Sequence, residues 1–300
     1  MQKKARYSNN AFFDDSKVII ITGASSGIGK AVAQALVRYK PKLVLTARRK
    51  RKLYHTANLL KKQKLKVLPI VSDIRNREDR TRIIDLTLKM FGRIDVLINN
   101  AGLGKANLFL NQPEEEIDQL IETNILSLIK MTHAVVPIME EQGGGSIINI
   151  SSSLAMLPVY PFAVYCATKS AVKVFGDGIR QELKDYGISV STVLPGPYNT
   201  EFNKISGLND EIVNGKAVDK LAIKIAKLTI KPKNNLIQPR SFIPLLWITE
   251  KFGFLKEKIT LKIAEQIYKA RIANIKKIEF EETKLEEKEI ELAVATKTKN

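Results

Sequence analysis

Short apolar runs recur along the first two thirds of the chain, and between them the apolar positions repeat every three or four residues. Lys17–Thr22 (K-V-I-I-I-T), Leu43–Thr46, Leu65–Val71, Ile94–Ile98, Ser146–Ile150 and Ile188–Leu194 are rich in Val, Ile and Leu. Runs of that length and composition predict strands buried on both faces, as in a parallel sheet. Lys30–Tyr39, Asn76–Met90, Pro113–Glu140 and the segment that ends in Lys169 read as helices. Pro113–Glu140 is read as one long helix, with apolar residues at 117, 120, 121, 125, 128 and 129 and Asn124 interrupting that face. Further on, 217–230 predicts a helix and Asn235–Pro239 a last strand. Alternating strands and helices predict an α/β domain with ligands at the carboxyl ends of its strands.

At 300 residues and 44% hydrophobic, one large domain can bury a substantial core. We expect it over 17–255, preceded by a polar leader at 1–16 and followed by a helical extension and charged tail at 256–300. The leader lacks the apolar run of a signal peptide, and no segment offers the roughly 20 apolar residues of a membrane span. The net charge of +18 raises nucleic acid or an acidic membrane as partners. The basic residues are spread along the chain without zinc-ligand spacing or a basic–aromatic repeat, so a lysine-rich solvated surface is expected instead, with no metal and no specific nucleic acid. With Cys166 as the single cysteine there is no intrachain disulfide, and a reducing, cytoplasmic setting is expected. Cys166 itself reads as a small packing residue. The aromatic stretch 241–255 suits a subunit contact, a pocket lid or a peripheral membrane contact.

The chemistry begins after the first strand. T-G-A-S-S-G-I-G, with Gly23, Gly27 and Gly29, joins that strand to a helix. Gly23 allows a tight turn, Gly27 the close approach of a pyrophosphate and Gly29 the packing of helix on strand; the helix N-terminus offers its N–H groups to the phosphates. The second strand ends in Ala47-Arg48-Arg49, where an NAD-binding fold usually carries a carboxylate. No Asp or Glu occurs from Lys30 through Ser72, so Arg48, with Arg49 behind it, is read as the seat of a 2′-phosphate, hence NADP(H) preferred over NAD(H); a merely basic loop is the plain alternative. Asp73 suits the adenine amino group or a helix N-cap. Asn99-Asn100-Ala101-Gly102 has side chains short enough for a cofactor to lie close, though an ordinary turn would look similar.

Ser152 follows the fifth strand, and Tyr165 and Lys169 lie four apart, on one face of a helix. Tyr titrates near ~10, and lowering that to about 7 needs ~4 kcal/mol. One cation at about 4 Å and an effective dielectric of about 20 supplies ~4 kcal/mol, so a single lysine is the right size of perturbation. On its own such a pair reads as chance. Its company changes that reading.

The order T-G-x-x-x-G-I-G, N-N-A-G, a helical Asn, Ser, Y-x-x-x-K and P-G-x-x-x-T, from about Lys17 to Thr200, resembles the short-chain dehydrogenase/reductase family in its compact, single-domain form. The resemblance implies a doubly wound Rossmann-type sheet of about seven parallel strands with helices on both faces. It implies that Tyr165 exchanges a proton with the substrate oxygen and that Ser152 holds that oxygen. Lys169 would lower the tyrosine pKa and bind the nicotinamide ribose, and Asn124 would hold a water that links Lys169 to solvent. Gly23, Ser25, Ile28, Arg48, Asp73, Ile74, Asn100, Ala101, Gly102, Pro195, Gly196 and Thr200 would line the cofactor, with a substrate loop near 198–216. The implied activity is hydride transfer between NADP(H) and a small-molecule carbonyl or secondary alcohol, in a homo-oligomer. A non-catalytic nucleotide sensor on the same fold is the alternative; it has no physical need for Asn124, Ser152, Tyr165 and Lys169 together.

Overall fold

The computed structural model of the protein describes residues 16–207, 215–251, 255–269 and 272. The leader at 1–15, the middle of the substrate loop at 208–214 and the charged tail from 273 lie outside the described residues. Seven parallel strands form one sheet in the order β3-β2-β1-β4-β5-β6-β7. They are β1 Val18–Thr22, β2 Lys42–Ala47, β3 Val67–Val71, β4 Val96–Asn99, β5 Gly145–Ile150, β6 Ile188–Pro195 and β7 Asn235–Gln238. The chain runs outward from β1 to β3 and then returns to β4 on the other side of β1, so the sheet's switch point lies between β1 and β4. Ligands of open α/β sheets bind at that crevice.

Both faces of the sheet are buried because the strands carry apolar residues at odd and even positions alike. Ile19, Ile21, Leu43, Leu45, Ile98 and Ile148 enter one core; Val18, Ile20, Val44, Leu97 and Ile147 enter the other. The first core is covered by helices α1 (Gly27–Ala35) and α2 (Lys50–Lys62) and by the helix Asp219–Leu228. The second is covered by α3 (Arg77–Phe91), the later helix α5 (Ser127–Glu141) and Ile179 of α6 (Ala163–Glu182). A third, smaller core joins Leu103, Leu120, Phe162, Tyr165 and Cys166 to Ala264 of a helix at 255–269.

The region expected as one long helix, Pro113–Glu140, is divided. Helix α4 (Glu114–Ile121) passes into a π turn, Glu122–Leu126, before α5 begins, and the Ser127 amide reaches back to the Glu122 carbonyl. Such single π turns collect at functional sites. Here the turn holds Asn124. In the stretch 241–255, a helix covers Phe242–Lys251, and 252–254 lie outside the described residues. Its face is split: Leu246 is buried while Ile243 and Trp247 are exposed. No helix among the described residues is long and apolar enough to cross a membrane.

Candidate active site

A cavity of about 640 Å³ runs along the carboxyl ends of the strands, from the turn after β1 to the segment after β5. Gly23 and Gly27 have φ of +67° and +53°, the left-handed region that glycine enters without strain. A Cβ on Gly23 would stand 2.9 Å from the Ala101 Cα, and one on Gly29 would stand 2.6 Å from the Gly23 carbonyl oxygen. Glycine is therefore required at 23 by conformation and contact, and at 29 by contact alone. Gly29 is buried under the turn, not on the cavity wall. Thr22 and Asn100 fasten the turn to the end of β4. The Thr22 hydroxyl accepts from the Asn100 and Ala101 amides, both at 2.9 Å, and the Asn100 side chain donates to the Thr22 carbonyl at 2.8 Å. The first turn of α1 has no side-chain cap, which leaves its N–H groups for an anion at Gly27 and Ile28, on the cavity wall. This cradle fits the pyrophosphate of a dinucleotide, and Ser25, Gly102, Pro195, Gly196 and Thr200 extend the same wall.

Arg48 and Arg49 both line the basic end of the cavity. Arg48 faces Asp73, at 3.8 Å, with a side chain 60% exposed. Arg49 is the residue that turns to the glycine loop, donating to the Ser26 hydroxyl at 2.5 Å and the Ser25 hydroxyl at 3.3 Å. Nor is the region free of carboxylate, although none occurs locally in sequence. Glu201 accepts from Arg49 at 2.7 Å and, on its other oxygen, from Lys52. Lys52 and Arg49 hold the Glu201 carboxyl down at about 2. Asp73 does not cap a helix: α3 begins after Asn76. Its carboxylate takes the Arg75 guanidinium at 2.7 Å and the Arg75 amide at 3.0 Å, and these bonds hold it below the ordinary carboxylate range. Asp73 and Ile74 both line the cavity.

At the other end, Ser152, Tyr165 and Lys169 converge. Ser152 follows β5, where its hydroxyl accepts from the Leu154 amide at 3.1 Å and, near the Tyr165 phenol, works against the rise in that phenol's pKa. Lys169 lies one turn along α6, its Nζ 5.8 Å from the Tyr165 ring centre and bonded to the Ile150 carbonyl at 3.0 Å. The Tyr165 ring packs against Phe162 and Phe202, with centroids 5.8 and 5.6 Å away. Both groups are buried, and in the chain alone desolvation is the largest influence on each. Burial pushes Tyr165 well above its ordinary value, and the same desolvation lowers Lys169 to about 8. Burial disfavours the charged form of both groups: the phenol stays neutral, while the amine, at about 8, still carries its charge at neutral pH. Gly102 leaves room for this arrangement: a Cβ there would meet Asn124 Oδ1 at 3.1 Å and Lys169 Nζ at 3.2 Å.

Asn124 stands behind the cavity wall rather than on it. Its amide oxygen accepts from the Leu103 N–H at 2.9 Å, and its nitrogen donates to the Leu103 carbonyl at 2.9 Å and the Thr168 hydroxyl at 3.0 Å. That side chain is fully engaged in tying the loop after β4 to α6. Cys166 is buried with its thiol toward the Val159 carbonyl at 3.9 Å, and burial raises its pKa, as suits packing.

Residues 17–210 match the family model described as short chain dehydrogenase. The chain belongs to that family. An uncharacterized oxidoreductase of Staphylococcus aureus (strain USA300) is 35% identical over 184 residues, 61% of this chain and 79% of the relative. Among solved structures, a short-chain dehydrogenase from Sphingobium yanoikuyae in complex with NADPH is 30% identical with a TM-score of 0.71, covering 80% of this chain and 95% of that one. A 3-ketoacyl-(acyl-carrier-protein) reductase from Brucella melitensis complexed with NADH is 26% identical with a TM-score of 0.69, covering 75% and 97%. This short-chain dehydrogenase family member is therefore an oxidoreductase with a nicotinamide dinucleotide site.

Sequence reading expected a substrate loop near 198–216 and offered a pocket lid at 241–255, but it named no site residue after Thr200. Glu201, Phe202, Phe242, Leu245, Ile263 and Ile267 reach the cavity or its basic end from segments without a recognisable pattern.

Proposed function

We propose that the protein is an NADP(H)-dependent oxidoreductase that interconverts a carbonyl compound and the corresponding secondary alcohol. What carries this reading is the meeting of Ser152, Tyr165 and Lys169 in one cavity with the glycine turn of β1 and α1. A bound nicotinamide dinucleotide supplies or accepts the hydride. The Ser152 hydroxyl and the Tyr165 phenol hold the substrate oxygen, and Tyr165 gives it a proton as the carbonyl carbon is reduced, or takes one in the reverse direction. A neutral phenol is the right starting state for reduction, and burial maintains it. Lys169 stands one turn away to stabilise the phenolate left behind and to meet the cofactor ribose. The water-holding role of Asn124 falls to the backbone of its π turn, since its side chain is already bonded to Leu103 and Thr168.

Preference for NADP(H) is supported by Arg48, Arg49 and Lys52 at the ribose end. For assembly we propose a homo-oligomer in the cytoplasm; the exposed Ile243 and Trp247 are the groups a subunit or a membrane surface would meet. The decisive test is Tyr165→Phe, which keeps the ring between Phe162 and Phe202 and removes the proton donor. Ketone-dependent oxidation of NADPH should fall at least ~10²-fold, the scale of a general acid's contribution, with NADPH affinity unchanged. Retention of most of the activity would remove Tyr165 from the reaction.

A further inference from the structure

The reacting group is small, but the space beyond it has a definite chemistry. Past the Tyr165 hydroxyl the cavity is walled by Leu154, Leu157 and Phe162 from the segment between β5 and α6, and by Phe202 and Ile205 from the short helix Glu201–Ile205. Its outer side is closed by Phe242 and Leu245 of one helix and by Ile263 and Ile267 of the helix at 255–269. Ala264 is buried in the same core as Tyr165, and Tyr268 meets Tyr160 edge-on at 6.0 Å, so the latter helix is a packed wall of the site. Phe242 sits against the turn after β6, where a Cβ on Gly196 would stand 2.6 Å from its ring. Both helices follow the region matched by the family model, which ends at 210.

Among the described residues, charge on the cavity wall lies at the other, ribose end, on Arg48, Arg49 and Asp73, with Lys169 beneath the phenol as the exception. Lys169 is 5% exposed and bonded to the Ile150 carbonyl. Among the described residues, the polar groups of the substrate half are few: Ser152 and Ser153 beside Tyr165, then Asn203 and Gln266. A carboxylate, a phosphate or a ring of hydroxyls placed here would lose its water for too few partners. A hydrocarbon body loses nothing, and each buried methylene raises affinity about fourfold.

We propose that the substrate is a bulky, uncharged, apolar ketone or its secondary alcohol, with the oxygen at Ser152 and Tyr165 and the hydrocarbon body between helices Phe242–Lys251 and 255–269. This names the substrate class of the oxidoreductase reading and rests on it. Reduction of the ketone forms one C–H bond from the nicotinamide hydride and one O–H bond from the tyrosine proton, oxidising NADPH to NADP⁺.

The test uses the full chain and the 2-alkanones from butanone to octanone, with a fused bicyclic ketone, a ketohexose and a 2-oxo acid alongside. Turnover is followed by NADPH absorbance. Binding is followed by calorimetry in the dead-end complex with NADP⁺, where no reduction occurs. The kcat/KM should rise at least ~30-fold across the four added methylenes, less than the full fourfold each because burial is incomplete. The sugar and the oxo acid should remain below the shortest ketone. Leu245→Ser and Ile267→Ser should flatten that dependence and leave the NADPH dissociation constant unchanged. Turnover that is flat with chain length, or favours the sugar or oxo acid, overturns the apolar class and leaves the oxidoreductase reading intact. Chain-length-dependent binding without any turnover supports the apolar pocket and sinks the oxidoreductase reading. Absence of both binding and turnover of the longer ketones overturns the pocket proposal.

Discussion

Glu201→Gln tests which groups of the basic end meet a 2′-phosphate. In the structure the Glu201 carboxylate lies across Arg49 and Lys52, so a phosphate arriving there must displace it. The three side chains are 39 to 49% exposed, and exposed ion pairs of this kind are worth about 0.2–1 kcal/mol each. Two pairs then oppose the phosphate by roughly 0.4–2 kcal/mol, a factor of about 2 to 30. The amide retains hydrogen bonding without charge, so we expect NADPH to bind ~2- to 10-fold more tightly to the variant, with NADH changed less than about twofold. Titration calorimetry with each cofactor at low salt measures this, and the gain should shrink at high salt, where exposed charges are screened. Acid cannot substitute for the mutation. With its carboxyl held at about 2, Glu201 stays ionised throughout any practical assay range. Its stabilising contribution is complete above the unfolded carboxyl value, near ~4.3, and is lost only as pH falls through about 2. Unchanged or weaker NADPH binding by Glu201→Gln would show that Arg49 and Lys52 do not face the phosphate.

Gly102→Ala should cost about tenfold in kcat with little loss of thermal stability. The new methyl presses on Lys169 Nζ and Asn124 Oδ1 at 3.2 and 3.1 Å, and displacements of reacting groups by well under 1 Å carry penalties on that scale. Lys169→Met, which fills the space without charge, should show a pH signature. The wild-type lysine is lowered to about 8 on folding, so the unfolded chain binds the extra proton between about 8 and its ordinary value of ~10.4. The penalty is therefore fully present below pH 8 and is relieved as pH rises toward ~10.4. Denaturant unfolding of both proteins should show the wild type gaining on the variant across that window, and a constant difference would mean the amine is not desolvated.

The sheet and the order of the reactive residues were legible because each depends on short stretches of chain. Apolar strands at both residue parities can only be buried on both faces, and T-G-A-S-S-G-I-G needs its glycines for contacts made within one turn and its neighbouring strand. Spacing placed Tyr165 and Lys169 on one face, but spacing carries no information on burial, and burial decides which way both groups titrate. The π turn at Asn124 was hidden for a related reason: one added residue in a helical turn leaves the apolar pattern nearly unchanged, while the bonds to Leu103 and Thr168 that accompany it come from distant segments.

The rest was illegible because it depends on which face a segment turns inward. Ser241–Leu255 is apolar on nearly every side, so no periodicity could separate Phe242 and Leu245, which face the cavity, from Ile243 and Trp247, which face out. Local absence misled in the same way at the ribose end. The interval from Lys30 through Ser72 contains no carboxylate, yet Glu201 arrives from 152 positions beyond Arg49 because the segment after β6 folds back over the glycine turn. That segment also carries Phe202 onto the Tyr165 ring. One short helix, Glu201–Ile205, therefore reaches the basic end of the cavity through its first residue and the Tyr165 ring through its second.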